Sequence, residues 1–159
     1  MTTLTIKQLS ARLHSGAPYG NVAAYPARFT TSAAGVVAGQ DDLPTALQVA
    51  DVVKLAYLPA GSRLIDSVAY LSDVFTAAAT AKLGFKYVDG VDDTDVPQDD
   101  DYFNATLDLN ALAIVRKTNP APPVTLPKDA WLTLTLAGAN LAAAGVLDVY
   151  VKAEMVGSD

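Results

Sequence analysis

From Val49 to Asp89 the pattern of apolar and polar positions reads strand, tight turn, strand, loop, strand, and the last run has the cleanest period of two. The runs V-A-D-V-V-K-L-A-Y-L and R-L-I-D-S-V-A-Y-L flank P-A-G-S, and A-T-A-K-L-G-F-K-Y-V-D follows S-D-V-F-T-A. In the third run Ala81, Leu83, Phe85 and Tyr87 fall on one face, with Thr80, Lys82, Gly84 and Lys86 on the other. That is the pattern of a strand with one side on a core and one in water. Pro59 and Gly61 suit a reversal, the first by its fixed φ and the second by its access to positive φ.

The same alternation returns later. Leu132, Leu134 and Leu136 oppose Trp131, Thr133 and Thr135; Leu147, Val149, Val151, Ala153 and Met155 oppose Asp148, Tyr150, Lys152 and Glu154. Tyr102 to Asn104 reads as a strand start, and Leu107 to Arg116 contains a strand. Pro44 to Leu58 has helical spacing behind an Asp cap, but Val49, Val52, Val53 and Tyr57 favour a pleated surface. A strand from about Ala46 to Leu58 is therefore expected. Thr118 to Asp129 holds four of the nine prolines, which excludes a central strand and suits a stiff loop across the end of a sandwich. Met1 to Ser32 has weak periodicity and fits two readings, an extended arm partly packed on the domain or an edge strand with a long loop. Val22 to Thr30 reads as a strand broken by Pro26.

These elements predict an all-β protein: an antiparallel β-sandwich, jelly-roll or immunoglobulin-like, with an extended N-terminal arm at residues 1–32 and the sandwich at 33–159. A chain of 159 residues is long enough to bury roughly two thirds of its unfolded surface in one domain. It contains no cysteine, so no disulfide supports it. The N-terminus lacks the charged and apolar regions of a signal peptide, and no apolar run approaches the ~20 residues of a membrane span, so a soluble chain is expected.

Charge sharpens the picture. The net charge of −6 argues against direct nucleic-acid binding. Residues 1–40 hold Lys7, Arg12 and Arg28 with no acid, whereas the remainder carries −9. Sixteen of seventeen acids are Asp, a residue that favours turns over helix interiors, in keeping with an all-β chain. Seven of them crowd into Asp89 to Asp101. Asp92, Asp93, Asp95 and Asp99 could offer oxygens to Ca²⁺, although the spacing lacks the EF-hand's central Gly and terminal Glu; a solvated inter-strand loop is the other reading and the preferred one. The single histidine, His14, has no acid within twenty-five residues and no nucleophile-elbow pattern nearby. Phosphate-binding glycine motifs are absent. No enzyme, cofactor or metal is expected, and His14 is read as a surface or interface residue.

The run D-V-V-K-L-A-Y-L-P-A-G-S-R-L-I-D-S-V, then A-K-L-G-F-K-Y-V-D-G, the acidic D-D-D-Y-F, and L-T-L-T-L-A-G-A with G-V-L-D-V-Y-V-K-A-E resemble small virion proteins of tailed bacteriophages. They are similar to the head decoration, or cement, family, and the likeness spans Asp51 to Glu154. That resemblance implies a jelly-roll sandwich on the capsid exterior, made in the host cytoplasm, that binds the major capsid protein and stabilises the shell. A homo-oligomer, dimer or trimer, is expected, with no nucleic acid or membrane as partner. Lys7, Arg12, His14, Tyr19 and Arg28 are the expected capsid or oligomer contacts. A carbohydrate- or receptor-binding sandwich, or another head-tail component, is the alternative.

Overall fold

Each alternating run becomes a strand whose apolar side joins one shared core. The computed structural model describes residues 3–5, 22–39 and 45–156, which form ten strands and no helix. These are Thr3–Thr5 (β1), Val22–Thr31 (β2), Val52–Leu58 (β3), Ser62–Asp73 (β4), Thr80–Tyr87 (β5), Asp99–Asp108 (β6), Ala113–Arg116 (β7), Val124–Thr125 (β8), Ala130–Ala137 (β9) and Gly145–Met155 (β10).

The pairing follows a simple rule. Counting outward from the middle of the chain, β5 pairs with β6, β4 with β7, β3 with β9 and β2 with β10, all antiparallel. That is one long ribbon folded back on itself. Rolling the ribbon then brings β9 against β5 and β10 against β4. The result is two facing sheets, β1-β3-β9-β5-β6 and β2-β10-β4-β7, which is the jelly-roll arrangement. Strand β1 joins β3 in parallel at the edge of the first sheet.

Between the sheets lies one core, with Phe29, Phe85 and Phe103 its largest fully buried side chains beside many leucines. Phe29 stacks on Phe75 with ring centroids 5.3 Å apart. Tyr102 ties the ends together: its hydroxyl donates to the Pro122 carbonyl at 2.8 Å and accepts from the Val124 amide at 3.3 Å. Lys117 sits 3.9 Å above the Tyr102 ring and donates to the Ala121 carbonyl. The proline-rich segment is thus held down, and its β8 pairs with Arg63 and Leu64 of β4, beyond the reach of short β7.

Several expected boundaries move, each for a local reason. The strand expected from Ala46 begins at Val52, because Ala50 turns with φ 74° and the Asp51 carboxylate accepts from the Gln48 amide. The run Leu107 to Arg116 is divided between β6 and β7, since Leu109 is buried where the chain crosses from one sheet to the other. Asp99 to Asp101 belong to β6 and not to the acidic loop. Pro26 does not interrupt β2, because an edge strand has one side with no partner to donate to. Of the segment 1–32 expected as an arm, the described parts are Thr3–Thr5 and Val22–Thr31, both strands of the sandwich, and Phe29 within it is fully buried.

Candidate interaction surface

The outer face of the second sheet is built by register. One row across it reads Pro26, Tyr150, Val68 and Arg116; the next reads Arg28, Asp148, Tyr70 and Ile114. Tyr70 and Tyr150 meet edge to face at 5.7 Å and are 40% and 42% exposed. Ile114 is 70% exposed, and Leu112, just before β7, is 67% exposed. The two tyrosines and Asp148 line a shallow open hollow. Around this apolar centre stand ion pairs. Arg28 grips Asp148 through two nitrogens at 2.7 and 2.9 Å, Arg116 meets Asp66 at 3.0 Å, and Arg63 lies 3.9 Å from Glu154. At the solvent surface each pair contributes little to stability, ~0–1 kcal/mol. An aromatic centre with a polar rim is the anatomy of a contact surface.

A bulge in β4 creates this face. Asp66 pairs with Lys152 while Leu64 pairs with Ala153, so Ile65 is an extra residue. Leu64 faces the core before the bulge; Ser67, Ala69 and Leu71 face it afterwards, leaving Val68 and Tyr70 outside.

The outer face of the first sheet is different in kind. Lys54, Lys82 and Lys86 stand among Thr133 and Thr135, and the Trp131 ring is shielded by Tyr57 at 5.4 Å and Lys54 at 5.3 Å. Here β6 leaves its register: Leu83 pairs with Asn104, but Phe85 already pairs with Asp99. The backbone of Asp99 and Asp100 passes directly over Gly84, where a side chain would collide with it. Asn104, in a glycosylation-like Asn-Ala-Thr sequence, is fully buried and donates to the Arg116 carbonyl at 3.0 Å.

No protein-family model matches the chain, and no curated protein sequence matches it. Solved structures do. A chain in the capsid of Ralstonia phage GP4 superposes with a TM-score of 0.65 at 14% identity, over 99% of this chain and 100% of the other. A chain of the cyanophage Pam1 capsid asymmetric unit superposes at 0.58 and 14% identity, over 86% of each. The shared feature is the fold. A third, from the acidic stable capsid structure of Helicobacter pylori bacteriophage KHP30, reaches only 0.48, too loose to argue from.

The acidic loop between β5 and β6 is organised by its own backbone. The Asp92 carboxylate accepts from the amides of Asp93 and Gln98, and that of Asp93 from Asp95 and Val96. Lys128 donates to Asp89 at 3.0 Å, and the Tyr87 hydroxyl donates to the Val96 carbonyl at 2.6 Å. Burial, then the Asp93 and Asp92 charges, push Tyr87 up to about 12. Of the four residues proposed for Ca²⁺, only Asp99 belongs to a convergent acidic group, with Asp100 and Asp101, and Lys82 reaches Asp100 at 3.3 Å.

The carboxyls of the loop and of the start of β6 titrate in opposite directions. Asp89 is held below the ordinary carboxylate range by the Val91 amide and then Lys128; Asp92 is held there by the Gln98 amide and then that of Asp93. Asp101 is raised, first by its hydrogen bond to Asp99 and then by burial. For Asp89 and Asp92 the linked stability is present above the unfolded pKa and is lost as pH falls through the lower folded values. For Asp101 it is fully present below the unfolded pKa and is lost as pH rises through the raised one. In a pH-titrated NMR series, the Val91 and Gln98 amide shifts are expected to move only below the ordinary carboxylate range. A midpoint at the ordinary Asp value would show that these bonds do not form.

Lys7, Arg12, His14 and Tyr19 lie outside the described residues. Arg28 is described, and it is bound to Asp148 on the apolar face. Sequence reasoning did not pick out Tyr150, Ile114 and Leu112; for Tyr70 a place on a strand face favours core packing, and the structure instead leaves it exposed on this sheet. One signal was available: Tyr150 is the single aromatic among Asp148, Lys152 and Glu154 on the polar side of a clean alternation.

Proposed function

We propose that this chain is a virion structural protein of a tailed bacteriophage, a decoration or cement protein that binds the outside of the major capsid shell and stabilises it. The end-to-end match of its jelly roll to a chain in the Ralstonia phage GP4 capsid carries this reading. The apolar face with its charged rim supports it, because a protein that holds neighbours together needs contact surface and no reaction centre. In this reading each contact is modest, and simultaneous attachment to several subunits raises the effective concentration of the remaining contacts. Lys7, Arg12, His14, Tyr19 and Arg28 are the proposed capsid or oligomer contacts, and residues 33–159 supply every strand of the sandwich except β1 and β2.

The experiment is reconstitution. Expanded capsids lacking this protein are incubated with the purified chain and imaged by electron cryo-microscopy. Extra density is expected on the outer shell at symmetry-related positions; density confined to the tail, or none, overturns the reading. The double reversal Lys7→Glu/Arg12→Glu is expected to weaken attachment at least ~10-fold at low salt and less at high salt, since exposed charges are screened.

The exposed Tyr70–Tyr150 pair also favours a second reading, a carbohydrate- or receptor-binding module. A thermal-shift series with Ca²⁺, EDTA and a panel of glycans separates the two, since a ligand at a hundred times its Kd adds ~2.7 kcal/mol. The decoration reading expects no shift.

A further inference from the structure

We infer that the outer face of β2-β10-β4-β7 is the contact between two copies of this chain, a face-to-face dimer centred on Tyr70 and Tyr150. The inference goes beyond the capsid reading and stands without it.

Three observations select a second copy as the occupant. The first is the contrast between the two outer faces. The first sheet turns Lys54, Lys82 and Lys86 outward and shields Trp131 with Tyr57 and Lys54, so none of its strands leaves a large apolar side chain open on that face. The second sheet leaves Tyr70, Tyr150, Ile114 and Leu112 open, with Val68 and Pro26 beside them in register.

The second is charge. The chain carries −6 overall and −9 beyond residue 40, so most approaches between copies bring like charges together. On this face the charges balance. Arg28, Arg63 and Arg116 are matched by Asp148, Glu154 and Asp66, and Lys152 near one end is offset by Asp73 at the other. A strongly charged partner would call for an unbalanced face. A balanced face, with cations and anions side by side around an apolar centre, is complementary to itself, as an isologous contact demands.

The third is size. Strands ~4.8 Å apart and ~3.3 Å per residue give the face a flat footprint on the order of 600 Å². Side-chain relief adds to this, and a standard interface uses ~800 Å² per partner. The whole face is therefore needed, and at roughly 600 Å² per partner it clears the ~1,000 Å² total that a specific interface requires. Pairing of copies edge to edge through β2 is opposed by Pro26, which cannot donate a ladder hydrogen bond.

The test is sedimentation equilibrium of the full chain, wild type against Tyr150→Lys and Ile114→Lys. Both side chains point to solvent, and Ile114 lies on a short edge strand, so circular dichroism is expected to stay unchanged. The wild type is expected to be a dimer at micromolar concentration, and each substitution is expected to raise the dissociation constant by about 30-fold or more, as removal of a central aromatic or apolar anchor does. A wild type that stays monomeric at high concentration overturns the inference, as does a dimer unaffected by both substitutions. Capsid attachment is scored in parallel. Loss of attachment by a monomeric wild type's Tyr150→Lys variant would assign the face to the shell, overturning the dimer. An intact dimer that fails to bind capsids would sink the decoration reading and leave the dimer standing.

Discussion

Gly84→Ala is expected to be among the most damaging single-methyl changes in this protein. An added Cβ would lie 2.1 Å from the Asp99 carbonyl oxygen and 2.4 Å from the Asp100 carbonyl carbon. Those atoms are backbone, so no rotamer change relieves the collision; the start of β6 must lift from the sheet. Lifting it would break the Lys82–Asp100 pair and uncover Thr133, which lies opposite Gly84 in register. Overpacking ordinarily costs ~1–3 kcal/mol. With main chain as the obstacle, about 3 kcal/mol or more is expected, a fall in Tm of roughly 6–12 °C for a chain of this size. Gly90→Ala is the control: its φ is +71°, but nothing lies within 4 Å of the new carbon, so only backbone strain of about 1 kcal/mol applies. Equal melting temperatures for the two variants would mean that β6 does not cross at Gly84.

Phe29→Ala is expected to cost about 3–5 kcal/mol, the range for emptying a fully buried aromatic site. Its ring stacks on Phe75, and Phe75 in turn sits 2.3 Å from where a Gly145 Cβ would be, so the surroundings cannot close over the hole without moving three elements. The consequence reaches the N-terminal segment. Deleting residues 2–28 takes away β1 and most of β2, the strand that pairs with β10 from Val22 to Thr31. That deletion is therefore expected to unfold the sandwich as well as to remove basic contacts, and charge reversal at Lys7 and Arg12 is the cleaner probe of attachment. A deletion variant that melts cooperatively at the wild-type temperature would show that β1 and β2 are dispensable.

The reach of sequence reasoning differs between elements for identifiable reasons. β5, β9 and β10 were legible because their apolar face is buried along its length, so the alternation of residue types survives even where Gly84 and Thr133 on the opposite face are buried too. β2 was harder: Pro26 reads as a break, and only its place at a sheet edge makes it harmless. In β4 the plain alternation groups Leu64, Asp66, Val68 and Tyr70 on one side. The bulge at Ile65 reverses the later half, and this places Tyr70 beside Tyr150 in the open. Beyond the lone Tyr150 the candidate face was not legible for that reason, since its two rings come from strands more than seventy residues apart and one depends on a single extra residue.

Local alternation, turn residues and the choice of Asp over Glu determined that this chain is a sandwich of short strands, and roughly where most of them run. Those are properties of neighbouring residues, fixed by the two-residue repeat of the pleat and by the backbone preferences of Pro, Gly and Asp. Tertiary structure decided between the jelly-roll and immunoglobulin-like orders, split the acidic run between a self-bonded loop and a strand crossing Gly84, and left one outer face apolar. Each depends on pairing between distant segments, where a one-residue shift in register exchanges inside for outside.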